Sequence, residues 1–112
     1  GSNWIRREKR YAIYIRDNFT CVWCGSQGDL TLDHIFPKCS RFRDNNQRRL
    51  VTACHRCNSI RKEVRLSTWL RGCPSAALDR LKKSRSIGIN VGAARKELES
   101  LLYSVAPFES LW

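Results

Sequence analysis

Two C-x-x-C pairs constrain this chain more than any other feature: Cys21-Val22-Trp23-Cys24 and Cys54-His55-Arg56-Cys57. Each pair presents two thiolates from one tight turn, and Gly25 follows the first pair, where a knuckle needs an open backbone. Two such pairs are the pattern of a four-cysteine zinc site. The 29 residues between them exceed the usual ribbon spacing, so an insertion separates the knuckles. An even count of six cysteines also admits a disulfide framework. The first seven residues contain no apolar signal core, however, so a reducing, cytoplasmic compartment is expected, and it favours zinc over disulfides. A thioredoxin-like redox site would need one such pair in a βαβ context, not two. Cys39 and Cys73 have no partner at metal spacing and read as ordinary small side chains.

At 112 residues the chain is expected to be one domain, residues 1–112. With 42% hydrophobic and 28% charged residues, wholesale disorder is excluded. No apolar run approaches the ~18–20 residues of a membrane span. The net charge of +11 points to a polyanion, most often nucleic acid. Its placement sharpens the point: residues 38–71 hold ten of the 21 basic side chains against two acidic ones, beside an island at 21–37 whose only charges are Asp29 and Asp33. A merely solubilising surface is the alternative.

Hydrophobic periodicity predicts a basic helix over 4–17, with Ile5, Ala12 and Ile15 (and Trp4 and Tyr11) on its apolar face. It predicts a strand over 30–36 ended by Pro37, and a second strand over 50–53 that runs into the second knuckle. From Asn58 the pattern is helical, with Ile60, Val64, Leu66 and Leu70 as its stripe, until Gly72-Cys73-Pro74 breaks it. Further helices are expected over 75–84, capped by Ser75 with Ala77, Leu78 and Leu81 on one face, and over 90–104. The expected fold class is therefore α+β. A small ββα-metal core at 21–71, stapled by a four-cysteine zinc site, sits between a basic N-terminal helix within 1–20 and a helical extension at 72–112. Two short strands cannot bury a core alone, so zinc is expected to supply fixation.

One constellation carries chemistry. Asp33-His34 lies on the first strand, and Asn58 follows Cys57 directly. Zinc ties the second knuckle to the first, which can hold Asn58 near Asp33 and His34. A carboxylate and an amide carbonyl are hard oxygen donors suited to Mg²⁺ or Mn²⁺. A neutral imidazole beside such an ion can take a proton from an attacking water. Neighbouring residues on a regular strand point to opposite faces, so Asp33 and His34 converge only if the strand bends or ends there. Trp23 and Trp69 read as packing residues, and His55 as a surface or phosphate-contacting one.

The segments Tyr11-x-x-Tyr14-x-Arg16-Asp17-Asn18-Phe19-Thr20-Cys21-Val22-Trp23-Cys24-Gly25, Leu32-Asp33-His34-Ile35-x-Pro37 and Leu50-Val51-Thr52-Ala53-Cys54-x-x-Cys57-Asn58 together resemble the zinc-containing HNH endonucleases. The resemblance covers about residues 11–62. It implies a ββα-metal fold, a metal-dependent DNA endonuclease activity, and Cys21, Cys24, Cys54 and Cys57 as structural zinc ligands. It also implies Asp33 and Asn58 as ligands of a catalytic Mg²⁺ or Mn²⁺, and His34 as general base. The expected partner is DNA, double-stranded, with no membrane involved. One base and one ion cut one strand per visit, so nicking is the expectation, and cutting both strands calls for a homodimer or a larger phage or host complex. Arg41, Arg43, Arg48 and Arg49, with Arg61, Lys62 and Arg65 on the next helix, are candidate contacts to the DNA backbone; a solvated helix face is the alternative for the last three. The sequence departs from the family at Arg49, where members usually carry the Asn that helps hold the catalytic His. Asn45 or Asn46 is then the candidate for the orienting role. On this departure rests the alternative reading, a catalytically weak or inactive zinc-stabilised nucleic-acid-binding module.

Overall fold

Leu30–His34 (β1) and Leu50–Cys54 (β2) pair antiparallel, with Leu30 opposite Cys54 and His34 opposite Leu50. The computed structural model describes residues 5–37 and 45–105, with side chains as far as Leu101. Arg41, Arg43 and Cys39 lie outside the described residues. The pairing and its alternation sort the side chains into two apolar clusters, one on each face. Leu32 and Leu50 join Ile5 and Ile13 on one face. Val51 and Ala53 join Val22, Trp23, Ile35 and Leu81 on the other. Fully burying one such large side chain contributes about 1.5–3 kcal/mol, and Trp23, Ile13 and Leu50 are all fully buried.

A two-stranded sheet has two bare edges, and unpaired backbone groups there must find partners. The edge of β2 is closed from α1 (Arg7–Arg16) and the first knuckle. Asp17 Oδ2 accepts from the Thr52 N–H at 2.8 Å, and the Val22 N–H donates to Thr52 O at 2.9 Å. Arg16, buried, is held by Asp17 and donates to Gln47 O and Leu50 O. The edge of β1 is closed by α2 (His55–Arg61), which runs back along it: Asn58 donates to Leu32 O, and Arg61 to His34 O and Ile35 O.

The remaining helices are α3 (Leu66–Arg71), α4 (Ala76–Ser86) and α5 (Val91–Val105). α4 docks on the first knuckle through Arg80, whose guanidinium donates to Val22 O and Trp23 O. α5 packs against α1, with Tyr11 Oη donating to Glu97 at 3.3 Å. Among the described residues no helix is long and apolar enough to cross a membrane.

The α+β class and the ββα order with flanking helices agree with the sequence reading. Details differ. Ile13, not Ile15, is buried under α1, because Ile13 faces Leu32 and Leu50 while Ile15 is exposed. β1 ends at His34 rather than Phe36. The helix expected from Asn58 starts at His55, inside the knuckle, and stops at Arg61. Lys62 adopts φ +50° there, and Arg61 Nε bonds Val64 O to close the turn. Ile60, Val64 and Leu78, expected on buried stripes, are exposed. Ser75 occupies the N-cap of α4, but its side chain makes no capping bond.

Candidate metal centres and the end of the sheet

The four knuckle cysteines converge. The sulfurs of Cys21, Cys24, Cys54 and Cys57 all lie within 4.8 Å of one another. Zinc–sulfur bonds of about 2.3 Å set tetrahedral sulfurs about 3.8 Å apart. Cys24 Sγ and Cys54 Sγ are 3.7 Å apart, which is that edge length. Each pair forms a knuckle of the same shape: the Cys24 N–H donates to Cys21 Sγ and the Cys57 N–H to Cys54 Sγ, both at 3.4 Å. Gly25 turns the first knuckle at φ +85°, a region closed to most side chains. Proton affinities fit the same picture. Burial pushes the Cys21 and Cys57 thiols up, and the neighbouring sulfurs push Cys57 further. Burial acts upward on Cys24 too, but the Ser26 N–H and the sulfur neighbours outweigh it and bring that thiol down. Four sulfurs at this spacing could hold one zinc ion, whose charge would favour the thiolate form of all four.

The other candidate residues lie along β1 and at its His34 end. Asp33 points to the Trp23 face and is buried. Its Oδ2 accepts from the Trp23 indole N–H at 3.0 Å and from Arg61 Nη1 at 3.0 Å. Burial raises the proton affinity of its carboxyl, while Arg61, the indole N–H and His34 act against that. Asn58 lies on the same side of β1. Its Nδ2 donates to Thr31 Oγ1 at 2.7 Å and to Leu32 O at 3.1 Å. Both amide hydrogens are thereby engaged, and Oδ1 has no partner among the described residues. Asp33 Oδ1 likewise has none there. One carboxylate oxygen and one amide oxygen on the same side of one strand are donors that fit a hard divalent ion such as Mg²⁺ or Mn²⁺.

His34 follows Asp33 as the last residue of β1. Its ring meets Asn45, with Nε2 3.1 Å from Asn45 Oδ1. Lys9 of α1 in turn holds Asn45 through its main-chain oxygen. Of the two residues nominated for orienting His34, Asn45 makes the contact. Asn46 instead caps the short 3₁₀ turn Gln47–Arg49 by accepting from the Arg48 N–H.

The reading of Arg61 as a DNA contact is corrected. Arg61 is 1% exposed, and its guanidinium donates inward to Asp33, His34 O, Ile35 O and Val64 O. It stands three residues after Asn58, so it faces β1 rather than solvent. Lys62 and Arg65 are exposed, as are Arg48 and His55, and Arg49 is half-buried. Trp23 packs edge-on against Trp69 at 6.3 Å, as a packing residue would, but its bond to Asp33 makes it part of the site. The sequence offered no signal for Trp23 and Arg61 beyond their places inside and just after the knuckles.

The described chain is thus a small α+β unit with a four-cysteine cluster that could hold zinc, and with the oxygen donors Asp33 and Asn58 along β1. No protein-family model matches it. It is 32% identical over 65 residues to the CRISPR-associated endonuclease Cas9 of Corynebacterium diphtheriae, an alignment spanning 55% of this chain and 6% of that protein. Its fold is similar to part of the crystal structure of the Type II-C Cas9 enzyme from Actinomyces naeslundii. That likeness has a TM-score of 0.57 at 23% identity, over 94% of this chain and 11% of the other. The chain therefore spans about a tenth or less of the length of either protein.

Proposed function

We propose that this chain is a metal-dependent DNA endonuclease unit of the HNH kind that hydrolyses phosphodiester bonds, one strand per encounter. The observation that carries the reading is the pair of unengaged oxygens, Asp33 Oδ1 and Asn58 Oδ1, with His34, next to Asp33 at the end of the same strand, held by Asn45. The similarity to two Cas9 proteins supports it, since one of them is named an endonuclease. Zinc on Cys21, Cys24, Cys54 and Cys57 fixes where α2 begins, and so where Asn58 and Arg61 meet β1. Asp33 and Asn58 would hold Mg²⁺ or Mn²⁺, and such an ion stabilises charge on the phosphate and the leaving oxygen. His34 accepts a proton from the attacking water. Its bond from Nε2 to Asn45 Oδ1 selects the tautomer whose lone pair is on Nδ1. Arg48, Arg49, Lys62 and Arg65 hold the DNA backbone through its phosphates, which gives affinity without sequence preference. Incubating supercoiled plasmid with zinc-loaded protein and Mg²⁺ or Mn²⁺ is the test. Open circles from the wild type and none from His34→Ala are expected. Equal cleavage by both, or none by either, overturns the reading.

A second reading, a zinc-stabilised DNA-binding module that does not cut, is favoured by one observation: the Arg61 guanidinium already occupies one oxygen of Asp33. It requires salt-sensitive DNA binding with no metal-dependent cleavage.

A further inference from the structure

Arg61 is the least expected part of the site, and its chemistry has a consequence for how an ion can bind. Its side chain reaches four acceptors: Asp33 Oδ2, His34 O, Ile35 O and Val64 O. Its guanidinium also stacks over the Trp23 ring, 5.0 Å from the centroid. A guanidinium cannot shed its proton, so this buried positive charge is permanent. Asp33 is the one carboxylate of the candidate pair, and Asn58 is neutral. Among the described residues the four cysteines are the only group of three or more Cys, His, Asp or Glu side chains close enough to share an ion, and Asp33 forms an ion pair with Arg61.

We propose that Arg61 is a resident counter-cation that makes divalent-ion binding at Asp33 and Asn58 depend on a bound phosphodiester. The proposal rests on the nuclease reading above. Arg61 and Asp33 already cancel, so an ion arriving at Oδ1 leaves the site with two uncompensated positive charges in a partly desolvated place. A DNA phosphate brings the missing negative charge. Ion and phosphate therefore bind together, each raising the affinity of the other by the same factor. Arg61 also keeps Asp33 Oδ2 and the 34–35 backbone in place, so it acts as a positioning residue through the pair it neutralises.

The test follows Mn²⁺-induced broadening of the Asp33 and Asn58 amide resonances in the zinc-loaded full chain, with and without a short DNA duplex. It is run in a His34→Ala background so that the duplex stays intact. The expected midpoint falls at least tenfold when duplex is present. Arg61→Met removes the charge and keeps much of the stem. Arg61→Gln is neutral but keeps amide donors for His34 O, in case the first variant does not fold. Either is expected to bind Mn²⁺ without DNA at least tenfold more tightly than the parent, with the effect of DNA reduced below threefold. Equal midpoints with and without duplex in the parent overturn the proposal, as does a folded neutral variant that binds no more tightly. If plasmid cleavage is intact while the midpoints are equal, the nuclease reading stands and this inference alone fails. If Mn²⁺ touches neither amide under either condition, both fail.

Discussion

The two ends of the sheet are built on different principles. At the Cys54 end, four sulfurs from two short motifs form a ligand set that could hold one zinc ion. At the His34 end, the groups that matter are held by residues from elsewhere in the chain: Asp33 by Trp23 and Arg61, His34 by Asn45, and Asn45 by Lys9. The first end is specified by spacing within four residues. The second is specified by contacts across 10 to 36 residues. A metal cluster of this kind is a fixed joint that can be written in a motif, whereas a reactive end must be assembled from whatever the joint brings near.

The contrast can be broken most severely at the cysteine end. Cys54→Ser, or removal of zinc, is expected to abolish the cooperative unfolding transition altogether, because the ion's binding free energy is part of the folding free energy. Circular dichroism against temperature reads this. At the other end, His34→Ala is expected to leave that transition in place and lower kcat roughly 100- to 10,000-fold, the usual worth of a general base. Arg61→Ala strands Asp33 as a buried, unpaired carboxylate. It is expected to cost about 3–5 kcal/mol in urea denaturation, with zinc still bound. Asn45→Ala is expected to lower kcat roughly three- to tenfold with KM unchanged, equivalent to about 1 kcal/mol for one hydrogen bond. The smallest effect belongs to Lys62→Ala and Arg65→Ala, each weakening DNA binding uniformly across sequences and reducing the salt slope by about 1. Loss of folding from His34→Ala, or of cleavage but not folding from Cys54→Ser, would erase the distinction between the two ends.

The same division governed what could be read from the sequence. The cysteine cluster, the ββα order and the flanking helices were legible because each depends on local spacing or period: C-x-x-C, alternation in Leu30–His34, and the helical spacing of Ala77 and Leu81 in α4. Asp33, His34 and Asn58 stand out in the sequence by residue type and by their places in the motifs. What spacing does not give is the partners that hold them: Trp23 and Arg61 at Asp33, and Asn45 at His34. Arg61 was misread as a surface residue because its burial depends on the break at Lys62, where φ +50° gives no sequence warning in a lysine. A single change of helix direction there separates a solvated basic face from an inward cation. Ile60 and Val64 went wrong for the same reason: the apolar stripe drawn through both assumed one continuous helix.

The central claim is that a thiolate clamp at one end of the sheet holds the chemistry at the other. The most direct measurement follows the Arg61 Nε–H and His34 ring nitrogen resonances while zinc is withdrawn stepwise and then restored. The account predicts that purified protein carries one zinc per chain. It also predicts that both signals vanish in proportion to the zinc lost and return with it. Purified protein without zinc, or zinc-free protein in which both signals persist unchanged, contradicts it.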